Sequence, residues 1–233
     1  MTISPKKLYE ILCNTYGLQY WWPVDRSYHQ NHTSDPRFEI MVGAILTQNT
    51  AWTNVEKALH NIKEKNTLTS YGIAHTKEND LKTMIKPSGF FNQKARRLKH
   101  FASYIHNEYH DDLQLFFSRD ATEIRSELLS LPGIGPETAD SMLLYGGNHP
   151  VFVVDAYTKR LCRRFPFQVQ TDIYENIQYF FEKELTRTIP KKDLLATYKE
   201  FHALLVEHAK RYCWKKKPNC ATCPLSKLCQ KLL

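Results

Sequence analysis

Apolar positions recur with a helical period along almost the whole chain. Leu8, Ile11, Leu12 and Tyr16 share one face of an opening helix. Residues 20–37, YWWPVDRSYHQNHTSDPR, are polar apart from their aromatics and are broken by Pro23 and Pro36, which reads as a loop. Residues 38–46 are apolar except for Glu39 and Gly43 and fit a buried helix, which TQNT (Thr47 to Thr50) breaks. Thr50 or Thr53 can cap the next helix, Thr53 having Glu56 three residues on. Its stripe is Val55, Ala58, Leu59 and Ile62, which leaves Trp52 at an exposed N-terminal end. Residues 87–105 turn into a helix with Ala95, Leu98, Ala102 and Ile105 inward and Lys94, Arg96, Arg97 and Lys99 elsewhere around it. Further helical patterns cover residues 138–145, 157–165, 173–185 and 194–212. Strand-like alternation is nearly absent, so the predicted fold class is all-α.

Composition bounds the partners more than the fold. The 233 residues supply ample material for a core, and 42% hydrophobic with 24% charged residues is ordinary for a globular protein. The 32 basic against 24 acidic residues leave a net charge of +8, which favours a polyanionic partner such as nucleic acid. The excess is local: no Asp or Glu follows Glu207, while Lys210, Arg211, Lys215, Lys216, Lys217, Lys227 and Lys231 do. No stretch reaches the length of a membrane span, and the N-terminal residues read as an amphipathic helix, not a signal peptide. The expectation is an intracellular protein whose six cysteines are thiols or ligands.

Two stretches carry chemistry. LPGIGPETAD (Leu131 to Asp140) places Gly133 and Gly135 in a tight turn between helical patterns, with Pro136 where a helix would begin. Such a turn suits a phosphate, or it is an αα-hairpin that only packs; the local spacing leaves both open. The apolar run Val151 to Val154 then leads to a single carboxylate, Asp155, which could also cap a helix starting at Ala156 or Tyr157. Near the C-terminus, Cys213, Cys220, Cys223 and Cys229 read C-x6-C-x2-C-x5-C. Four soft thiolates at close spacing suit zinc or an iron–sulfur cluster, and the spacing chemistry alone leaves both open. Cys13 and Cys162 lie in helical stretches as small core residues.

The glycine turn, the Asp that follows it and the cysteine spacing together resemble the endonuclease III, or helix-hairpin-helix, superfamily of DNA base-excision glycosylases. The resemblance covers nearly the whole chain from Phe38 onward. It implies a two-domain helical fold: a six-helix barrel domain over 35–148, holding a helix-hairpin-helix at about 123–146, and a discontinuous helical domain of 1–34 and 149–233. It also implies a [4Fe-4S] cluster on Cys213, Cys220, Cys223 and Cys229, and phosphate contacts from Lys215, Lys216 and Lys217 and from the backbone at Gly133 and Gly135. Lys94, Arg96, Arg97 and Lys99 either solvate a helix face or steer DNA.

By the same resemblance Asp155 is the catalytic carboxylate and Gln48 fills the gap in the duplex. Bifunctional members carry a lysine in the hairpin that forms a Schiff base. The matching position here is Glu137, which implies a monofunctional enzyme that leaves an abasic site. From WWP through TQNT and PSGFFNQKA the chain is similar to the 3-methyladenine glycosylase branch, in which Trp21 or Trp22 and, opposite, Trp52 would sandwich an alkylated base. The implied partner is double-stranded DNA containing a damaged base, bound by a monomer with no membrane role. The alternatives are an endonuclease III-like glycosylase for uracil or thymine mismatches or oxidised bases, with at most weak lyase activity, and a lesion-binding module that does not cleave.

Overall fold

The computed structural model describes residues 3–169 and 171–230, and every regular element among them is helical. No helix is long and apolar enough to cross a membrane among the described residues. The chain divides into two compact units, residues 22–149 and residues 1–21 with 150–233. The boundary expected near residue 35 lies at Trp22 instead, and the reason is an ion-pair network. The supposed loop contains a helix, Arg26–His32, capped by Asp25. His29, from this helix, approaches Glu39 at 2.7 Å; Lys63 reaches the other Glu39 oxygen at 2.5 Å, and the Asp25 amide donates to Glu39 at 3.2 Å. Burial pushes the Glu39 carboxyl up, but these partners outweigh it and hold the pKa below its usual value. The charge that interrupts the apolar run is therefore the anchor that ties residues 22–34 to their unit.

In the 22–149 unit, helix Pro36–Leu46 is buried from Phe38 to Leu46 on all its faces, which explains its continuous apolar run. Gly43 lets the Trp22 indole lie against this helix: a Cβ there would sit 3.2 Å from Trp22 Nε1. Helix Trp52–Glu64 buries the expected stripe, but its cap differs from expectation. Ala51 occupies the N-cap, with no side-chain bond, because the Thr50 hydroxyl instead accepts from the Asn54 side chain at 3.1 Å. On helix Phe91–Tyr109 the inward face is as expected, and Lys94 is not on the basic face at all. It is 1% exposed, and its ammonium donates to Leu46 O at 2.8 Å and Ser88 O at 2.7 Å, satisfying orphan carbonyls of other turns. Burial lowers its pKa to about 8, with a smaller contribution from Arg97. Lys99 likewise donates to the carbonyls of Ala74 and Thr76, which leaves Arg96 as the exposed basic residue of that helix.

In the other unit, helices Pro5–Tyr16, Ala156–Arg164 and Tyr174–Thr186 surround the long helix Lys191–Arg211. Phe152 stacks on Phe181 at 4.5 Å, and both meet Phe201 edge to face. Each such ring, fully buried, contributes roughly 1.5–3 kcal/mol. This aromatic core holds the segment 151–155 in place without a helix of its own: Phe152, Val153 and Val154 are at most 1% exposed.

Candidate active site

The hairpin is built from helix Ala121–Ser130, the turn 131–135 and helix Pro136–Ser141, whose end widens into one π turn, Met142–Gly146. Arg125 ties its two helices through the buried Asp140, with contacts of 2.7 and 3.2 Å. Ile134 is buried and anchors the turn, while Gly133 is exposed with φ +81°. Both conformation and space require glycine at 133. Any other residue would be in the left-handed region, and a Cβ would collide with the Arg97 guanidinium, whose Cζ would lie 2.7 Å away. Gly135, at φ −100°, has open space where a Cβ would go. Gly133→Ala should therefore lower the thermal midpoint, by an amount equivalent to about 1–2 kcal/mol of backbone strain plus displacement of Arg97. Gly135→Ala should leave the midpoint unchanged, and a thermal melt of the two variants checks the contrast.

Gln48 is committed to this turn. Its amide nitrogen donates to Gly133 O and Thr138 Oγ1, both at 3.0 Å, and its amide oxygen accepts from Arg97. To fill a gap in a duplex it must exchange these three bonds for others. Glu137 is exposed in the first turn of helix Pro136–Ser141, where a carboxylate complements the helix dipole.

The tryptophans separate. Trp22 and Trp52 are half-buried and touch edge to face, with centroids 5.3 Å apart and planes at 87°; Trp22 also tilts against Tyr145 at 5.2 Å. Parallel rings spaced to admit a base are not what this cluster holds, because two edge-to-face rings in contact leave no slot between them. Trp21 belongs to the other unit, where its ring meets His202 at 5.8 Å and Lys210 lies 5.9 Å from its centroid.

Asp155 is 6% exposed and is the N-cap of helix Ala156–Arg164. Its Oδ1 accepts from the Thr158 amide at 2.7 Å and the Thr158 hydroxyl at 2.8 Å, and His202 Nε2 lies 3.7 Å from its Oδ2. Burial pushes the Asp155 carboxyl up, but His202 and Thr158 outweigh it, and the net direction is downward. The site thus holds a buried carboxylate in its ionised form. Lys159, one turn on, is directed to the Tyr174 ring at 5.7 Å. Neither partner was expected from the sequence: Thr158 had a local signal in its place three residues after the cap, and His202 had none, since 47 residues separate it from Asp155.

Among the described residues no group of three or more His, Cys, Asp or Glu closes to metal-ligand geometry. The four cysteines nonetheless line one cavity, with Leu161, Phe165, Pro218 and Leu225 among its other walls. Arg164 donates to Cys213 Sγ at 3.3 Å and to Trp214 O at 2.8 Å, and Arg160 donates to Cys213 O at 2.7 Å. A soft all-sulfur donor set in an apolar setting with an N–H bond to one sulfur fits an iron–sulfur cluster. Lys215, Lys216 and Lys217 are exposed on the loop that begins at Cys213.

The family model described as "HhH-GPD superfamily base excision DNA repair protein" matches residues 42–187, and the chain belongs to that superfamily. A protein of Methanocaldococcus jannaschii named as a candidate DNA repair glycosylase is 43% identical over 224 residues, covering 96% of this chain and 94% of that one. Endonuclease III of Thermotoga maritima is 29% identical, covering 89% of each. The crystal structure of H. pylori 3-methyladenine DNA glycosylase bound to 1,N6-ethenoadenine superposes with a TM-score of 0.69 at 26% identity, over 90% of this chain and 98% of that one. A trapped endonuclease III–DNA covalent intermediate shares the fold, with a TM-score of 0.75 at 20% identity over 99% and 97% of the two chains. The protein is accordingly a DNA base-excision glycosylase of this superfamily.

Proposed function

We propose that the protein is a monofunctional DNA glycosylase that removes N-alkylated purines such as 3-methyladenine from duplex DNA and leaves an abasic site. The observation that carries this reading is the pairing of a buried, ionised Asp155 with a glutamate, Glu137, in the hairpin. Glutamate cannot form an imine, so the strand is not cut through an amine adduct. Gly133 and Gly135 take the DNA backbone, Lys215, Lys216 and Lys217 add phosphate contacts without sequence information, and Gln48 occupies the space of the flipped nucleotide.

The bond from C1′ to the base nitrogen breaks with its electron pair leaving on the base. An alkylated purine is cationic before this step and neutral after it, so it is already a good leaving group. Asp155 stabilises the positive charge left on the sugar and orients the water that adds at C1′; the proton of that water passes to solvent. A cationic base also gains attraction to an indole face that a normal purine lacks, which supports an outer face of Trp22, Trp52 or Trp21, and not the space between two of them, as the partner of the lesion. The H. pylori relative is named a 3-methyladenine DNA glycosylase and binds 1,N6-ethenoadenine, a modified purine, which supports the same reading. Cys213, Cys220, Cys223 and Cys229 would hold the [4Fe-4S] cluster, whose chemistry here is ligation that shapes the lysine loop. One copy of the chain suffices for all these roles, so the protein acts as a monomer.

A panel of duplexes, each with one alkylated, deaminated or oxidised base, tests the reading when scored for abasic sites and for borohydride-trapped adducts. Release of alkylated purines without a trapped adduct is expected. Release of uracil, thymine or an oxidised base alone transfers the lesion assignment, a strong adduct overturns the monofunctional one, and tight lesion binding without release makes the protein a recognition module.

A further inference from the structure

The proposed chemistry uses Asp155 and leaves unexplained the histidine behind it. His202 lies on helix Lys191–Arg211 and is 4% exposed. An imidazole buried this deeply costs free energy unless its nitrogens are used. Its Nε2 faces the one carboxylate oxygen of Asp155 that Thr158 does not occupy, at 3.7 Å. That separation is longer than a hydrogen bond, and catalytic hydrogen bonds are often long before substrate binds and tighten afterwards. The Trp21 ring meets the His202 ring edge to face, at 5.8 Å and 82°.

We propose that His202 is a positioning residue for base excision: through Nε2 on Oδ2, opposite Thr158 on Oδ1, it fixes the plane of the Asp155 carboxylate. This rests on Asp155 being the group that serves the sugar. The physical need is plain. A carboxylate stabilises a developing sugar cation only while it is charged, and burial alone drives it towards the neutral acid. Thr158 by itself holds one oxygen with two donors and supplies none to the other. A donor on the second oxygen fixes the carboxylate plane, and pre-oriented charge is what lowers a barrier without reorganisation at the moment of reaction. His202 touches neither substrate nor water in this account; it acts through Asp155.

The test compares His202→Phe, which keeps a ring against Trp21 but has no donor, with His202→Gln, whose amide nitrogen replaces Nε2. Single-turnover base release, lesion-duplex affinity and thermal midpoint are measured for each. The Phe variant should release base roughly 10- to 100-fold more slowly with unchanged duplex affinity, the scale of one lost bond to a charged group. The Gln variant should recover most of the rate. A Phe variant as fast as wild type, or faster than the Gln variant, makes His202 a packing residue and overturns the inference. A double-mutant cycle checks the route independently of any loss of stability: in the Asp155→Asn background, His202→Phe should cost little further rate, and a second full loss overturns the inference. If Asp155→Asn is itself fully active, the parent assignment fails first, and that outcome is recognisable because it involves no histidine variant.

Discussion

Replacing Asp155 by asparagine is expected to slow base release at least about 10³-fold while leaving lesion-duplex binding and the fold nearly intact. The two halves of this expectation have separate causes. The structural role of Asp155 is the cap: Oδ1 accepts two bonds from Thr158, and an asparagine oxygen accepts them equally well. The catalytic role is the charge, which asparagine lacks. Asp155→Ala removes both and should also lose about 1 kcal/mol of stability with the cap. Rates on a lesion duplex, set beside thermal melts of the two variants, separate the roles. An asparagine variant that still releases base at the wild-type rate would mean that the catalytic carboxylate lies elsewhere.

The same residue shows how far a sequence reading reaches. The cap at Asp155, with a helix starting at Ala156 or Tyr157, was legible, because a carboxylate that ends an apolar run just before a helical period is a local pattern, and the helix starts at Ala156. The helices with a clean stripe, such as Trp52–Glu64, were legible for the same reason. What stayed hidden depends on partners far along the chain. His29 and Asp25 look like loop polarity until Glu39 and Lys63 are brought to them, and only then does Arg26–His32 become a helix belonging to the 22–149 unit. Lys94 reads as one more basic surface residue, yet it satisfies carbonyls 48 and 6 residues away and is buried. Gln48 matches a position expected to enter a duplex, and what its sequence neighbours cannot show is that Gly133, Thr138 and Arg97 already hold it. The short helices Ser70–His75 and Leu113–Phe117 carry too few turns for a period to register.

The other large effect is expected at the cysteine loop. Residues 213–230 contain no α-helix, and Leu225, 1% exposed, is the buried apolar side chain among them. One buried leucine contributes roughly 1.5–3 kcal/mol, whereas ordering a single backbone residue costs about 1–2 kcal/mol. The bonds that Arg160 and Arg164 make to Cys213, Trp214 and Lys215, and the one that the Cys229 thiol donates to the Arg164 carbonyl at 3.1 Å, offset part of the remainder, but they act at the two ends of the loop. Ligation at Cys213, Cys220, Cys223 and Cys229 would cross-link the segment at four points spread along its length, which is why the loop should depend on it. The purified protein is expected to be yellow-brown and to contain roughly four iron atoms per chain. Cys223→Ser should lose most of that iron and the visible absorption, expose the loop to protease, and weaken DNA binding through Lys215, Lys216 and Lys217. Iron and zinc analysis, a visible spectrum and limited proteolysis of the two proteins side by side check each part. A colourless protein with one zinc per chain would replace the cluster with a four-cysteine zinc site while keeping the argument that the loop needs a metal. A Cys223→Ser protein with an intact, protease-resistant loop would remove that argument as well, because the loop would then be ordered by contacts that the burial pattern does not supply.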